Sequence, residues 1–323
     1  TSSMESVELT DSKETKVYLP NGSYIVRAVK DKLEGEAKLT VHDRGTQVVV
    51  ELKGESGAGD DSSAEEDSGK DGNITWRLTK EGTLYISGQG DMPDYDWYNE
   101  HEPEAPWKNK TIKKVIIERG VTSIGEYAFA DCSSLKSIEI PDGMTSIGES
   151  AFNGCESLEN IKIPAGVTSI GANAFDWCQS LKSIEIPDGV TSIEDSTFSG
   201  CINLESIEIP ADVTSIGAYA FGYCDSLESI KIPSKVTSIE EYAFYYCRSL
   251  ESIEIPADVT SIGEESFGYC SDLDIYFTGN HPEEMANDWL SESSNVTIYY
   301  PQNDSTWKGI ESESFGGTDI EWV

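Results

Sequence analysis

From Val121 the sequence restarts itself every 23 residues. A fixed period of this length marks a solenoid, in which one short unit buries its apolar face only by stacking on copies of itself. The unit runs Val121-Thr-Ser-Ile-Gly-Glu-Tyr-Ala-Phe-Ala-Asp-Cys-Ser-Ser-Leu-Lys-Ser-Ile-Glu-Ile-Pro-Asp-Gly143. It begins again at Met144, Val167, Val190, Val213, Val236 and Val259, giving seven copies to about Thr278, the last one residue short.

Superposing the copies turns sequence into columns. Ile124 to Ile262, Phe129 to Phe267 and Leu135 to Leu273 form three apolar columns, and Ile138-Glu-Ile140 recurs as an Ile-x-Ile pair in the first six copies. Alternation in a strand points both isoleucines inward and the residue between them outward. Pro141, Pro164, Pro187, Pro210, Pro233 and Pro256 lack the N–H that would continue a ladder, so each strand ends at the same height. A small residue before each Phe predicts a tight turn over the core. Glycine follows Ile124 in five copies, but Glu194 and Glu240 share its column, so a strict positive φ is not expected there.

All seven cysteines, Cys132, Cys155, Cys178, Cys201, Cys224, Cys247 and Cys270, occupy one column. An odd number with no CxxC or Cys/His spacing argues against a disulfide or metal ladder. A stack of small core side chains is expected instead. No metal or cofactor is expected, and no catalytic set emerges: His42, His101 and His281 lie outside the repeats with no nucleophile arrangement around them.

The repeated string Val-Thr-Ser-Ile-Gly-x-x-Ala-Phe-x-x-Cys-x-x-Leu-x-Ser-Ile-x-Ile-Pro resembles the BspA-like leucine-rich repeat family of bacterial surface and secreted proteins. The likeness reaches the flanks. Ile74-Thr-Trp, Gly82-Thr-Leu-Tyr-Ile-Ser-Gly and Ala105-Pro-Trp are similar to that family's entry into the array. Phe277-Thr-Gly-Asn, Val296-Thr-Ile-Tyr-Tyr-Pro, Ser305-Thr-Trp and Gly316-Gly-Thr are similar to its closing cap. The resemblance implies a β-rich α/β solenoid that is not an enzyme and that recognises host proteins, other cells or glycans from an extracellular or cell-surface position. It transfers no defined site residues.

Around the array, 1–53 reads as a small β-sandwich-like module of about five short strands separated by turns such as Pro20-Asn21-Gly22. Residues 54–72 read as an acidic flexible linker. Residues 73–120 read as an N-terminal β-hairpin cap, turning at Lys80-Glu81-Gly82, with Trp76, Leu84, Trp97 and Trp107 covering the first coil. The solenoid follows over 121–278. Residues 279–323 read as a C-terminal cap closed by Trp289, Trp307 and Trp322, with a short helix over 283–290. The cap loop's acids (Asp91, Asp94, Asp96, Glu100, Glu102, Glu104) suggest a cation and its Tyr95, Trp97 and Tyr98 a sugar platform. Cap aromatics more commonly pack than display themselves.

Composition narrows the partners. With 59 acidic against 23 basic residues, the net charge of −36 leaves no basic stripe for nucleic acid or for an anionic membrane surface. No apolar run approaches the ~20 residues that would span a bilayer. The opening Thr1-Ser2-Ser3-Met4 reads as a trimmed end. A monomer is expected.

Two variable surfaces of the array are candidate ligand-binding sites. On the strands, Glu205, Glu228 and Glu251 follow one another with Glu208 and Glu254 beside them and only Lys231 between, a row suited to a basic partner. In the turns, Trp177, Tyr223, Tyr246 and Tyr269 fill the column before the cysteines, with Tyr219, Tyr242 and Tyr245 nearby. Exposed aromatics in a row suit a sugar or a protein hot spot. The expected function is therefore non-enzymatic recognition of an extracellular or host protein, or a glycan, along a surface roughly 30 Å long. A carbohydrate-binding accessory protein of a polysaccharide-degrading system and a structural spacer are the alternatives.

Overall fold

The computed structural model describes residues 22–30, 33–41, 65–96, 104–310 and 313–323. The chain divides into two compact units, Thr1–Ser62 and Ser63–Val323. In the first, β1 (Gly22–Lys30) and β2 (Leu33–Val41) pair antiparallel, Gly22 opposite Val41 and Lys30 opposite Leu33. The other strands expected of this module lie outside the described residues.

The second unit opens with an antiparallel meander: β3 (Glu65–Asp71), β4 (Ile74–Thr79) and β5 (Thr83–Gly88). β3 falls inside the stretch read as linker, so that segment is corrected: its last third is an edge strand. Acidic composition hid the strand because its pairing uses backbone groups and one packing contact. A Cβ on Gly69 would come within 2.9 Å of Trp76 Nε1, so glycine lets the indole lie flat on the strand. Asp67 also pairs with Lys110 at 2.6 Å. β4 and β5 form the expected hairpin, with Gly82 at φ 89°.

From β5 onward every strand pairing is parallel, which is what 23-residue coils stacked in register produce. The longer ladder runs through Lys114–Ile117, Ser137–Glu139 and Asn160–Ile161, then through Ser183–Glu185, Ser206–Glu208, Ser229–Lys231, Ser252–Ile255, Asp274–Phe277, Ser294–Tyr299 and Thr318–Trp322. A shorter ladder is built from Ser-Ile pairs such as Ser146–Ile147 and Ser169–Ile170. Isoleucine alternation is as expected, with Ile138, Ile161, Ile184, Ile207, Ile230 and Ile253 buried. From Pro164 on, the chain turns back tightly after each proline, the Val167 N–H reaching the Pro164 carbonyl at 3.0 Å and later copies doing the same. The solenoid has about nine turns and almost no helix; a 3-10 turn at Ser305–Trp307 is its one helical element among the described residues.

The phenylalanine column is a continuous ring stack. Phe129 through Phe267 are fully buried, with centroids 5.1–5.7 Å apart and planes within 16° of parallel. Trp107 extends it at the start, 5.8 Å from Phe129, its Nε1 donating to the Ala128 carbonyl at 2.7 Å. Trp289 ends it edge-on against Phe267. Trp307 packs on Phe277 and Trp322 on Trp307. The expected helix over 283–290 is absent. Glu284 and Ala286 donate instead to the Thr260 and Ile262 carbonyls of the last coil, and lateral pairing on a preformed edge outweighs a weak local preference.

One discontinuity interrupts the array. Asn160–Ile161 and Ser183–Glu185 belong to separate sheets. Among the described residues Lys182 makes no counterpart of the Glu159 N–H to Lys136 carbonyl bond, and Thr191 makes none of the Thr168 to Thr145 bond. Both gaps flank the turn of the third copy. That turn remains bonded on both sides, Phe152 to Ala174 and Phe175 to Thr197, each at 2.9 Å.

Candidate functional site

The turn face is made by two backbone positions per coil in the left-handed region. One column is Tyr127, Ser150, Asn173, Ser196, Tyr219, Tyr242 and Glu265, at φ 46° to 58°. The other, four residues on, is Asp131, Gly154, Trp177, Gly200, Tyr223, Tyr246 and Tyr269, at φ 55° to 70°. This geometry aims amide protons at the next coil. Tyr127, Phe129 and Asp131 donate to the Glu149, Ala151 and Asn153 carbonyls, and the pattern repeats along the array. A left-handed conformation costs a non-glycine residue roughly 1–2 kcal/mol. All six aromatic candidates, Trp177, Tyr219, Tyr223, Tyr242, Tyr246 and Tyr269, stand at such positions.

Their side chains pack into one sheet of rings. Tyr223, Tyr246 and Tyr269 stack at 5.2 and 4.3 Å, and Tyr219 stacks on Tyr242 at 4.5 Å. Tyr245 stands edge-on between the two stacks, 4.7–6.3 Å from all five. It lies beside Gly268, where a Cβ would come within 3.0 Å of its ring, so the missing side chain makes its niche. Trp177 skips a level. Gly200 leaves space for the indole to lie over it and reach Tyr223 at 6.3 Å. Exposure was expected along this row, and the structure qualifies it: the tyrosines are half-buried because each leans on its neighbours, and Trp177 alone of the row is well exposed, at 45%.

Acidic groups border the sheet of rings. Burial, followed by the charges of Glu265, Glu264, Asp288 and Glu241, raises the Tyr242 pKa. Burial, then Glu265 and the neighbouring tyrosines, lifts Tyr245 to about 12. The Tyr242 and Tyr245 phenols therefore stay neutral at physiological pH. Arg248 sits over the Tyr246 ring at 4.5 Å.

Glu205, Glu208, Glu228, Glu251 and Glu254 are exposed on the strands, where the register sets Lys231 between Glu208 and Glu254. Glu205, Glu228 and Glu251 are joined through backbone bonds alone. No contact among the described residues links this row to the aromatic one. In the cap, Asp91 accepts from Thr122, Asp94 caps the Glu126 N–H, and Tyr95 is buried with its hydroxyl on Asp71, so these three are structural. Trp97, Tyr98, Glu100, Glu102, His42 and His101 lie outside the described residues. His281 packs edge-on against Trp307, and burial lowers its pKa.

The cysteines are buried and unpaired, but they do more than fill space. From Cys155 to Cys270 each thiol donates to the carbonyl of the phenylalanine one coil back, at 3.1–3.3 Å. Burial raises every thiol pKa, to about 12 for Cys132 and Cys270, which keeps the proton on sulfur. In the cap Ser293 takes the same place, donating to Phe267 at 2.7 Å.

The family described as BspA type Leucine rich repeat region (6 copies) matches residues 103–224 and 191–321. The chain belongs to this family. A leucine-rich repeat protein from Bacteroides ovatus is 25% identical, covers 79% of this chain and 76% of its own, and superposes with a TM-score of 0.53. A leucine-rich repeat protein of T. pallidum is also 25% identical, over 64% of this chain and 91% of its own, at 0.48. A leucine-rich cell surface protein from Faecalibacterium prausnitzii is 23% identical, over 80% and 95%, at 0.36. No curated protein matches. In this BspA-type chain no helix among the described residues is long and apolar enough to cross a membrane.

Proposed function

We propose that this chain is the recognition part of a secreted or cell-surface bacterial protein, without catalytic activity, that binds host proteins, other cells or glycans through the aromatic turn face of coils three to seven. One observation carries this reading. Trp177 and six tyrosines, all but Tyr127 within coils three to seven, occupy left-handed positions that other copies fill with serine, asparagine, aspartate, glycine or glutamate. The backbone does not call for bulk there, and bulky residues pay for that conformation. Strain of this kind, gathered on one surface patch, points to a use of the patch. Large rigid side chains with polar tips are also what binding hot spots employ.

The test compares the wild type with Tyr223→Asn/Tyr246→Asn/Tyr269→Asn, asparagine being chosen because it tolerates positive φ. Capture from host extracellular matrix and a glycan array should both lose their strongest signals with the variant, while circular dichroism stays unchanged. Identical binding profiles for the two proteins would refute the assignment.

A further inference from the structure

Beside the sheet of rings the turn face dips into a depression of about 290 Å³, lined by Tyr127, Asp131, Ser150, Asn153, Asn173 and Asp176. Its lining, completed by Ala130, is mostly polar and is carried by three successive coils. Asp176 accepts from Asn153 Nδ2 at 3.0 Å through one carboxylate oxygen, while the other oxygen is buried with no partner. The Asn173 amide makes no side-chain hydrogen bond among the described residues, so donors and acceptors are both available.

The neighbouring wall is aromatic. One face of Trp177 is committed to Gly200 and Tyr223. In the two preceding coils the same column holds Gly154, which has no side chain, and Asp131, whose Oδ1 lies 2.3 Å from where a Gly154 Cβ would be. Trp177 follows Asp176 in the chain and is 45% exposed, so an accessible indole stands next to a pocket of carboxylates and amides. The tyrosine stack behind Trp177 holds the ring in place.

We propose that this depression is a saccharide subsite for a neutral, hexose-containing glycan. One pyranose ring lays its C–H face on Trp177, and its hydroxyls reach Asp176, Asn173 and Asp131. This rests on the reading of the turn face as the recognition surface and names its ligand class. Carboxylates accept from adjacent hydroxyls, and an amide both donates and accepts. A small rotation of the Asp176 carboxylate turns its unpartnered oxygen toward an incoming hydroxyl. The volume suits about one or two sugar rings, at the low end for small-molecule sites. Charge chooses among glycans: two carboxylates at the site and a chain charge of −36 repel uronates and sulfates. Among the described residues no group of three or more His, Cys, Asp or Glu is placed to hold a metal, so hydroxyls fit this site better than a cation.

Isothermal titration of the full chain with gluco-, manno- and galacto-hexaoses, and with oligogalacturonate and chondroitin sulfate hexasaccharide, tests the proposal. At least one neutral hexaose should bind and quench tryptophan fluorescence, and neither acidic sugar should. Trp177→Asn and Asp176→Asn should each weaken that binding tenfold or more, with unchanged circular dichroism confirming the fold. Binding of acidic sugars only, or neutral binding untouched by both substitutions, overturns the subsite. If no saccharide binds while a captured protein still depends on Tyr223, Tyr246 and Tyr269, the subsite falls and the broader reading stands. If both experiments are blank, both fall.

Discussion

The thiol column makes a prediction in which two accounts of the same residues give opposite orders. If the cysteines only fill space, alanine should replace Cys201 better than serine, because a hydroxyl is more costly than a methyl group in an apolar interior. The structure argues the reverse. Cys201 Sγ donates to the Phe175 carbonyl at 3.3 Å, and that carbonyl also accepts the Cys178 N–H at 3.1 Å. Alanine would remove one of two bonds and leave a sulfur-sized void, for a loss of about 1–2 kcal/mol. Serine would keep the donor, as Ser293 does at 2.7 Å, and should lose less than ~1 kcal/mol. Extending the change to Cys178, Cys201 and Cys224 together should widen the difference between all-alanine and all-serine proteins. Urea titration followed by far-ultraviolet circular dichroism reads this directly. Alanine variants as stable as wild type, with serine variants weaker, would refute the hydrogen-bond reasoning.

Phe198→Ala removes a fully buried ring stacked on both sides and should cost about 3–5 kcal/mol. In a stack held by nearest neighbours it should also split urea unfolding into two transitions, whereas a single sharp one would contradict independent blocks. Burial first raises the Asp176 carboxyl to about 6, against the hydrogen bond from Asn153, which acts the other way. A raised folded-state pKa means stability from the protonated form, fully present below about pH 4, falling as pH rises to about 6 and level above it. Allowing for partial solvent access, the wild type should lose ~1–2 kcal/mol over that window relative to Asp176→Asn. Parallel stability–pH curves for the two proteins would contradict this. Ending the chain at Asn280 strips Trp289 and Trp307 from the last coil and exposes the Phe267 and Leu273 layer, so light scattering should show aggregates; a soluble monomer would argue against the cap.

Much of the fold was legible because a repeated sequence reports its interior seven times over. The isoleucine, phenylalanine and leucine columns and the proline stops all stand where the period put them. The glycine column after Ile124 was rightly separated from positive φ, and the structure supplies another cause: a Cβ on Gly148, Gly171 or Gly263 would come within 2.4–2.6 Å of the preceding coil's backbone. The left-handed columns were harder to see. Tyrosine, serine, glutamate and asparagine share them, and only Gly154, Gly200 and Asn173 hint at the backbone beneath. The thiol bonds left no trace in composition, since a packed cysteine and a donating one read alike; Ser293, 23 residues after Cys270, was the available clue. The strand over Glu65–Asp71 carries its pairing in main-chain atoms, which acidic side chains do not announce.

The gaps beside the third copy have a mechanical meaning. A protein that holds a partner at one end while tethered at the other bears tension along its axis, and a stack yields where the fewest bonds cross. Both strand ladders lapse on either side of the turn around Asn173–Cys178, while that turn stays bonded to its two neighbours. Tension would therefore open the array on its strand side first, like a book along its spine. The spine is the turn that carries Asp176 and Trp177, so load and ligand would meet at the same few residues.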